Sequence, residues 1–388
     1  MKESTKMHVV YLHPHFTYPG GAGNFVLETA KKLIQYGLKV TIIAQSGSSE
    51  LIQNCQGIHF IFIGGPLPNT FAYWLQYFKI YKKVEKILDE IDPDIIFPQV
   101  FPANYWGFLY KKHNPKIPCI WFCHEPSAFV HEKRIINGLP IGMRLLAEAA
   151  NPVMKVLDKK LVSQADFIFV NSHFTAEKCK KVYGVCQTKV VYPGVDISEY
   201  PPHQFPKEDF ILCVSRLTRF KRIDLVLDAL NLLKQSNEVS KQLIVVGDGE
   251  ERTNLIEQSE RLKLEGNVTF TGKLSRDILI SYYARAQCVV FPTKDEPFGI
   301  IPIEAQAAWT PVIATRSGGP MESVIHEVTG FLIKPDSVEE LAEKIRYLDR
   351  NKEIAESMGL LARENVSNNF SWAETSRCLL ETFKDYVQ

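Results

Sequence analysis

Short apolar runs that alternate with stretches of helical periodicity constrain the fold of this chain more than any other feature. Each run holds four to six residues rich in Val, Ile and Phe, and the stretches between the runs are amphipathic with the 3.6-residue period of a helix. Strands that alternate with helices in this way belong to parallel β/α units. The sequence therefore predicts the α/β fold class, with doubly wound parallel sheets.

The predicted strands fall into two series that a proline-rich segment separates. This segment, "DISEYPPHQFPKEDF" at 196–210, has no apolar period and is typical of a linker. With 388 residues the chain is long enough for two domains, and we expect an N-terminal domain at 1–195 and a C-terminal domain at 196–370. The first series of strands is predicted at 8–13, 39–44, 59–63, 94–98, 119–123, 166–170 and 189–193. The second series is predicted at 210–215, 242–247, 268–272, 288–292, 311–315 and 330–333.

Composition and the terminal sequence limit the class of protein. With 45% hydrophobic and 23% charged residues, the chain has the composition of a water-soluble globular protein, and no apolar run approaches the ~18 residues that span a bilayer. The polar N-terminus "MKESTKMHVVYLH" does not resemble a secretory signal, so we expect a cytoplasmic protein. The eight cysteines are scattered, and several lie in apolar runs, which favours reduced core thiols. The segment "CIWFCH" at 119–124 lacks a second ligand cluster for zinc.

The two halves of the chain carry opposite net charge. Residues 1–190 contain 22 Lys and Arg against 14 Asp and Glu, a net of +8, whereas residues 191–388 contain 23 against 30, a net of −7. A basic half suits an anionic lipid surface or an acidic substrate. Ordinary surface variation explains the asymmetry equally well, and both explanations stay open at this stage.

Two predicted helices of the basic half are candidates for contact with a substrate or a membrane. Segment 138–162 is predicted to be a long helix, broken near Pro152, that flanks the path of a substrate. Segment 70–88 either lies at an anionic membrane surface, with the protein peripherally associated, or packs on its own sheet. It carries the aromatic residues Trp74, Tyr77, Phe78 and Tyr81 at helical spacing, with Lys79, Lys82, Lys83 and Lys86 nearby.

The turns between strands and helices are the places to look for chemistry, because ligands of such sheets bind beyond the carboxyl ends of the strands. After the first strand, Gly20 and Gly21 precede a helix whose N-terminus attracts phosphate. Neither this turn nor "VVGDGEER" at 245–252 has the G-x-G-x-x-G spacing, so a nicotinamide site is disfavoured. After "FILCVS", the cations Arg216 and Lys221 lie five positions apart, which suits either a bound diphosphate or a solvated loop.

The stretch "DEPFGIIPIEA" at 295–305 places two carboxylates around a helix start. Gly299 and Ile300 lead into a helix whose free amides and dipole can hold a phosphate or a sugar hydroxyl. We expect Glu304, placed in the first turn, to accept hydrogen bonds from a ribose, and Glu296, in the preceding turn, to bind sugar hydroxyls. A nucleotide-sugar supplies hydroxyls at both ends of a diphosphate, and this accounts for acids beside a phosphate site.

A second acidic pair, Asp92-Pro93-Asp94, has the letters of a D-x-D metal-binding motif. Its position fits a helix end that enters the strand "DIIFP" better than it fits a metal site. We therefore expect no metal ligands here.

Several motifs together resemble the retaining glycosyltransferases of family 4, which have the GT-B fold. They are the E-x7-E pair with its Phe-Gly, "VSRL" followed by Lys221, the "GDG" turn, "SGGPMESV" with "TGFLIKP", and the N-terminal Gly-Gly, and they extend over nearly the whole chain. The resemblance implies two Rossmann-like domains that face a central cleft, and a helix at 371–388 that crosses back to the first domain. It also implies metal-independent, retaining transfer of a hexose from a nucleoside-diphosphate sugar, with no cofactor and no nucleic-acid partner.

The details of "CHEP" and "SGGPMES" are similar to members of the family that use GDP-mannose on lipid-linked acceptors. The resemblance therefore favours GDP-mannose as donor and a lipid-linked or glycan acceptor. A soluble acceptor is the main alternative. A nucleotide-sugar hydrolase or phosphorylase would share the donor site without an acceptor, and a non-catalytic sensor would tolerate the loss of His124 or Glu296.

The family's functional residues carry over to matching positions of this sequence. Arg216 and Lys221 would neutralise the diphosphate, and Glu304 would hold the ribose. His124 matches the family histidine near the transferred sugar, and Glu296 would hold the donor sugar. The remaining matches are backbone groups: Phe298, Gly299 and Ile300 at the donor sugar, Gly20 and Gly21 at the diphosphate, Gly247 in the "GDG" turn, and Lys273 and Leu274 at the base.

Two positions depart from the family pattern. Trp309 stands where the family usually has a small residue, and Arg222 stands where it usually has glycine. Neither change removes a catalytic group, so what they put in doubt is the identity of the donor. His13 and His15, close to the glycine turn, are expected to have packing or loop roles.

Overall fold

The computed structural model describes residues 6–16, 20–48, 55–66, 71–132, 136, 141–185, 187–236 and 241–387. The chain divides into two compact units, the first made of Met1–Tyr192 with Trp372–Gln388 and the second of Pro193–Ser371. Every predicted strand is present, and only the seventh ends clearly earlier than expected, at Val190. Both units are parallel α/β structures, which confirms the predicted fold class.

The first unit has its strands in two parallel sheets of order β3-β2-β1-β4 and β5-β6-β7. A parallel bridge between Ile96 and Cys119 links β4 to the segment that leads into β5. The strands are β1 (His8–Leu12), β2 (Lys39–Ala44), β3 (His59–Phe62), β4 (Ile95–Pro98), β5 (Ile120–Cys123), β6 (Phe167–Val170) and β7 (Lys189–Val190). The described helices are α1 (Gly21–Gln35), α2 (Phe71–Ile91), α3 (Ala103–His113), α4 (Ala128–His131), α5 (Ile141–Val162) and α6 (His173–Tyr183), with the terminal helix α14 (Trp372–Val387).

The second unit is a single six-stranded parallel sheet of order β10-β9-β8-β11-β12-β13. The chain moves from β8 to one edge and then returns to the other side of β8, so the strand order reverses between β8 and β11. Its strands are β8 (Phe210–Val214), β9 (Gln242–Val246), β10 (Val268–Gly272), β11 (Cys288–Phe291), β12 (Val312–Thr315) and β13 (Gly330–Ile333). Its helices are α7 (Ile223–Gln235), α8 (Arg252–Arg261), α9 (Arg276–Arg285), α10 (Ile300–Ala307), α11 (Pro320–Ser323), α12 (Val338–Arg350) and α13 (Lys352–Asn369).

The terminal helix α14 belongs to the core of the first unit. Its Trp372, Leu379 and Phe383 are buried in the same cluster as β1 and α1. The ring of Trp372 lies 6.0 Å from that of Phe25, and the ring of Phe383 lies 5.0 Å from that of Phe97. These apolar contacts, rather than a covalent link, hold the end of the chain on the first unit.

Helix α2 covers most of the predicted aromatic-basic segment, and it packs on its own sheet. Tyr73 is fully buried and Tyr81 is 3% exposed, whereas Phe78 is 77% exposed. The side chain of Trp74 lies outside the described residues. Most of the described aromatic side chains point inward, so this helix packs on its own sheet through them, while contact of its exposed face with a membrane stays a prediction.

The predicted break near Pro152 is wrong, because α5 continues through this residue. Proline removes one intrahelical hydrogen bond and crowds the carbonyl four residues earlier, but an exposed carbonyl can tilt outward to water without ending the helix. Pro152 lies on the exposed side of α5. The last turns are also fixed, because the buried carboxylate of Asp158 accepts hydrogen bonds from Tyr105, Ser127 and Tyr183 at 2.7–2.9 Å.

We expect Trp372→Ala to lower the free energy of unfolding by ~3–5 kcal/mol, because it leaves a cavity between α14 and α1. Urea denaturation followed by tryptophan fluorescence and circular dichroism measures this change. Arg377→Ala, on the exposed side of the same helix, is the control and should leave the free energy of unfolding close to that of the wild type, because exposed ion pairs contribute little. Deletion from Phe370 onward should yield poorly soluble protein, and a soluble, stable truncation would contradict the role of α14.

Candidate functional site

The chemistry-bearing residues of the second unit lie where the carboxyl ends of neighbouring strands meet. The loop after β8 carries Arg216 and Lys221, and the loop after β11 carries Glu296. These two strands are hydrogen-bonded neighbours and flank the point where the strand order reverses. Open α/β sheets bind their ligands at such a point, so this is the candidate site.

Lys221 and Glu296 form an ion pair at this point. The Nζ atom of Lys221 lies 2.7 Å from Oε2 of Glu296, and the two side chains are only 16% and 21% exposed. The Lys221 ammonium also lies 5.7 Å from the ring centroid of Phe291, at the end of β11. A cation for phosphate oxygens and a carboxylate for hydroxyls are therefore held next to each other.

Two glycines bring the loop after β12 against the loop that holds Glu296. Gly318 has φ +73°, and a Cβ there would lie 2.3 Å from the carbonyl oxygen of Glu296. A Cβ on Gly319 would lie 2.2 Å from Cα of Phe298, and its amide donates to the Glu296 carbonyl at 2.8 Å. Any side chain would separate the two loops, and this explains the paired glycines of "SGGP".

Gly247 has a comparable packing role. Its φ is +129°, and a Cβ there would lie 1.8 Å from the carbonyl oxygen of Ser215 in the loop after β8. The "GDG" turn therefore needs glycine in order to pack against the neighbouring loop. Its assignment to ligand binding stays a prediction from the family resemblance.

Helix α10 starts at Ile300, at the end of the loop that carries Glu296. Gly299 precedes it with φ 86°, and no side chain caps this helix. The first amides of a helix have no intrahelical acceptor and favour an anion or a hydroxyl oxygen. Phe298 is buried and packs on Phe370, with ring centroids 5.8 Å apart.

Two hydroxyl groups at the strand ends were missed by the sequence reasoning. Oγ of Ser215, after β8, and Oγ1 of Thr293, after β11, are buried and have no hydrogen-bond partner within the part of the chain that the structure describes. Buried polar groups are normally satisfied. These hydroxyls are therefore further candidates for contact with a ligand.

Glu304 lies in the second turn of α10 rather than in the first, because the helix begins at Ile300. Glu304 is only 5% exposed, and both of its carboxylate oxygens accept hydrogen bonds. Oε1 accepts a hydrogen bond from Nη1 of Arg276, and Oε2 accepts one from the hydroxyl of Tyr283 at 3.0 Å. The side chain of Glu304 is thus oriented by two partners within the protein.

Arg276 connects Glu304 to the linker segment of the second unit. Its Nη2 donates to the hydroxyl of Tyr200 at 2.7 Å and to Oε2 of Glu199 at 3.1 Å. Burial acts to lower the pKa of Arg276, but Glu304 and the other acidic neighbours raise it by more than burial lowers it. The pKa therefore lies above its usual value, and the guanidinium stays charged. No motif or spacing singles out Arg276 or Tyr283, and only the packing of α9 on α10 reveals them.

The other residues of this unit that were predicted to contact the nucleotide lie farther from the Lys221–Glu296 pair. Arg216 is exposed, and its Nη2 lies 3.9 Å from Oε2 of Glu250, so the structure does not bring it into the Lys221–Glu296 pair. Lys273 is exposed and Leu274 is half-buried, both directly after β10. A role for these three residues requires the ligand to extend along the ends of the strands.

The two residues that depart from the family pattern both lie at positions with a left-handed backbone. Arg222 has φ 56° and Trp309 has φ 62°, both in the left-handed region where glycine is favoured. Arg222 forms ion pairs with Asp224 and Asp336 and is not directed toward Lys221. Trp309 donates from Nε1 to the carbonyl oxygen of Pro201 at 2.9 Å, so it closes the end of α10.

In the first unit, His124 directly follows β5. Its Nε2 lies 3.1 Å from Oε1 of Gln99, which follows the neighbouring strand β4. Burial lowers the pKa of His124 to about 3, so the imidazole is neutral. Gly20 and Gly21 form the exposed start of α1, where a Cβ on Gly20 would meet no atom of the described residues within 4 Å. Their assignment to the diphosphate stays a prediction from the family resemblance.

Nearby histidines and the D-x-D letters have structural positions. His13 is buried, burial lowers its pKa to about 3, and its ring packs on Phe16 with centroids 4.6 Å apart. Asp94 accepts a hydrogen bond from the amide of His8 at 2.7 Å and so fixes the start of β1. Asp92 lies just after the end of α2 with φ 48°. In the described ranges no group of three or more His, Cys, Asp or Glu side chains is arranged to hold a metal ion.

Comparisons with known proteins match both units. The family described as Glycosyltransferase Family 4 matches residues 19–199, and the family described as Glycosyl transferases group 1 matches residues 198–365. The human protein named Alpha-1,3/1,6-mannosyltransferase ALG2 is 29% identical over 94% of this chain and 93% of its own. A D-inositol 3-phosphate glycosyltransferase of Nocardia farcinica is 26% identical over 94% of this chain and 84% of its own.

Solved structures show the same fold at low sequence identity. Anabaena Alr3699/HepE, crystallised with UDP and glucose, superposes with a TM-score of 0.78 at 22% identity, over 97% of this chain and 99% of its own. WaaG, described as a glycosyltransferase involved in lipopolysaccharide biosynthesis, has a TM-score of 0.73 at 18% identity, over 95% of this chain and 98% of its own.

We expect Arg276→Ala to lower the free energy of unfolding by ~2 kcal/mol or more, because it leaves the buried Glu304 carboxylate without its cation. Urea denaturation measures the change. Arg285→Ala, at the other end of α9 with an exposed ion pair to Glu208, is the matched control and should cost less than ~1 kcal/mol. Adding Glu304→Gln to Arg276→Ala should recover part of the loss. Equal effects of the two arginine substitutions would contradict the coupling.

Proposed function

This chain belongs to the family 4 glycosyltransferases and has their GT-B fold, and we propose that it transfers mannose from GDP-mannose to a lipid-linked acceptor. The family membership and the hexosyltransferase class confirm the resemblance that the motifs indicated. The donor, the acceptor, retention of configuration and independence of a metal ion are the proposed parts. A lipid-linked acceptor would place the reaction at the cytoplasmic face of a membrane.

The observation that carries the proposal is the Lys221–Glu296 pair beside the uncapped N-terminus of α10. The lysine and the first helix amides are suited to the two phosphates of a nucleoside diphosphate. Glu296 on one side and Glu304 on the other are suited to hydroxyls of the sugar and of the ribose. A single ligand class, a nucleotide-sugar, satisfies these groups together.

Charge development on the leaving group explains why these cations matter. As the bond from the sugar to the diphosphate breaks, negative charge grows on the β-phosphate and the sugar gains oxocarbenium character. Lys221, the amides at Gly299 and Ile300, and Arg216 would stabilise that charge, at ~3–4 kcal/mol for each donor removed from such a site. Arg216 would exchange Glu250 for the phosphate, which is feasible because its side chain is exposed.

His124 is proposed to hydrogen-bond the transferred sugar rather than to act as a general acid. Its neutral imidazole has one donor and one acceptor nitrogen. With a pKa of about 3, lowered by burial, the ring is not an imidazolium near neutral pH and so has no acidic proton to donate. The contact to Gln99 fixes the orientation of the ring.

Mannose is favoured by the relatives rather than by any contact in the site. The human and mouse relatives named mannosyltransferases are 29% and 26% identical and each covers 94% of this chain. The relative named D-inositol 3-phosphate glycosyltransferase supports the second candidate, transfer to a soluble acceptor. The acceptor class therefore has to be tested separately from the donor.

Metal independence is proposed because the acidic pair at 92–94 lies between the end of α2 and the start of β4, where Asp94 has a structural role. The Asp94 carboxylate is occupied by the His8 amide, and the cations Lys221 and Arg216 can supply the charge neutralisation that a metal ion provides in other enzymes. Retention follows the family alone.

The donor assignment predicts that GDP-mannose raises the melting temperature more than UDP-glucose or other nucleotide-sugars, because selective binding stabilises the folded state. Thermal-shift measurements with and without EDTA, followed by mannose transfer to a lipid-linked acceptor, test this. Transfer should persist in EDTA. Loss of transfer that Mn²⁺ or Mg²⁺ restores would contradict metal independence, and a preference for another donor would contradict GDP-mannose.

We expect Arg216→Ala and Lys221→Ala each to lower kcat/KM by roughly 10²–10³-fold, because each removes a charge that stabilises the leaving diphosphate. Steady-state kinetics measure the effect, and circular dichroism checks that each variant is folded. Arg219→Ala, in the same loop and exposed, is the matched control and should stay within about threefold of the wild type. Near-normal turnover of a folded Lys221→Ala protein would refute the diphosphate assignment.

A further inference from the structure

Helix α5 (Ile141–Val162) exposes apolar side chains along one face of the first unit. The exposed fractions are 81% for Ile141, 62% for Leu145, 71% for Val153 and 70% for Val156. These four positions are separated by 4, 8 and 3 residues, so they lie on one side of a helix with 3.6 residues per turn. We refer to these four residues as the outer stripe of α5.

The orientation of the outer stripe is fixed from the opposite side of the helix. Asp158 is fully buried, accepts hydrogen bonds from Tyr105, Ser127 and Tyr183, and lies 2.7 Å from Nε2 of His131. Leu161 and Val162 are buried in the neighbouring core cluster. The helix therefore cannot rotate to hide the outer stripe without burying lysines and breaking these bonds.

Lysines collect at the C-terminal end of the outer stripe. Lys155, Lys159 and Lys181 line an open groove of about 400 Å³ together with His131, Val156 and Val182. Val156 belongs both to the groove and to the outer stripe, so the apolar surface and the cationic groove are continuous. Lys160 adds a further exposed cation on the same helix.

This combination suits an anionic lipid bilayer better than a protein partner. An exposed apolar helix face marks a contact surface, but protein interfaces are depleted in lysine. At a bilayer surface, apolar side chains enter the acyl boundary while lysines meet the phosphates of the head groups. The net charge of +8 over residues 1–190 has the sign that attracts such a surface.

We propose that the outer stripe of α5 and the adjoining lysine groove dock the first unit on an anionic bilayer. We place the docking surface on α5 because it exposes four apolar side chains, whereas among the described aromatic side chains of α2 Tyr73 and Tyr81 are buried and Phe78 is exposed. The inference rests on the proposed lipid-linked acceptor for its biological purpose, but it concerns a separate surface. Within the described ranges, no helix combines the length and hydropathy needed to cross a bilayer, and docking at the surface needs none.

Flotation with vesicles tests the proposal on the full chain. The vesicles contain equal parts phosphatidylglycerol and phosphatidylcholine, or phosphatidylcholine alone. The wild type should bind the anionic vesicles at low salt and less at high salt. The stripe variant Ile141→Ser/Leu145→Ser/Val153→Ser/Val156→Ser should bind them at least about tenfold more weakly. Because these side chains are exposed, the variant should keep the wild-type melting temperature.

Two matched variants separate the stripe from general effects. Ile354→Ser/Leu360→Ser/Leu361→Ser removes exposed apolar residues from α13 of the other unit and should bind vesicles within about twofold of the wild type. Lys155→Glu/Lys159→Glu/Lys181→Glu should lose more binding than Lys79→Glu/Lys82→Glu/Lys86→Glu, although both reverse three lysines. The second set lies on the exposed side of α2.

The outcomes are exclusive. The proposal is overturned if the wild type ignores anionic vesicles, if the stripe variant binds as the wild type does, or if the two lysine sets have equal effects. It is also overturned if the wild type is a dimer that the stripe variant converts to a monomer, since a second copy would then cover the face. Donor-induced thermal stabilisation, measured on the same samples, keeps the tests apart. Its absence in the wild type would refute the proposed donor and leave the vesicle result standing.

Discussion

The pairing of β8 with β11 is the contact on which the candidate site depends. These strands lie far apart in sequence, and their register places Ile211 opposite Cys288 and Leu212 opposite Val289. Because the strands are parallel, the loops that leave them emerge at the same edge of the sheet. Lys221 and Glu296, 75 positions apart, meet only as a result of this pairing. The glycines at 318 and 319 then bring the loop after β12 close enough to support the Glu296 turn.

The site cations are matched by carboxylates of the protein itself. Lys221 pairs with Glu296 and Arg276 with Glu304, while Arg216 lies near Glu250. A buried charge without a partner destabilises the folded state. The pairing with carboxylates therefore allows several cations to lie at one edge of the sheet. When a diphosphate binds, Lys221 and Arg216 would therefore exchange a carboxylate partner for a phosphate, because neither cation lacks a partner beforehand. The exposed Arg216 can exchange most easily, and the buried Glu304 is held in place most firmly.

Two helices of the first unit have similar sequence patterns but different environments in the structure. Segments 70–88 and 138–162 both carry apolar and basic residues, and the sequence offers a membrane contact as an alternative for 70–88 only. Burial separates them, because α2 inserts Tyr73 and Tyr81 into the core and α5 exposes its outer stripe. The difference arises from the buried carboxylate of Asp158, which fixes the rotation of α5. A buried polar anchor, together with the buried Leu161 and Val162, thus decides which face of α5 meets solvent.

The sequence by itself determined the strands, the parallel α/β class, the family and the loops that carry Lys221, Glu296 and His124. These features are local, because apolar period, glycine position and short motifs record them within a few residues. Only the tertiary structure decided the partners of Glu304, the outward position of Arg216, the continuity of α5 through Pro152 and the burial of Tyr73. Each of these depends on residues distant in the chain, such as Arg276 and Tyr283 on α9 or Asp158 with Tyr105. Local patterns cannot encode them, because the free energy of a buried charge or a buried ring is set by what packs around it.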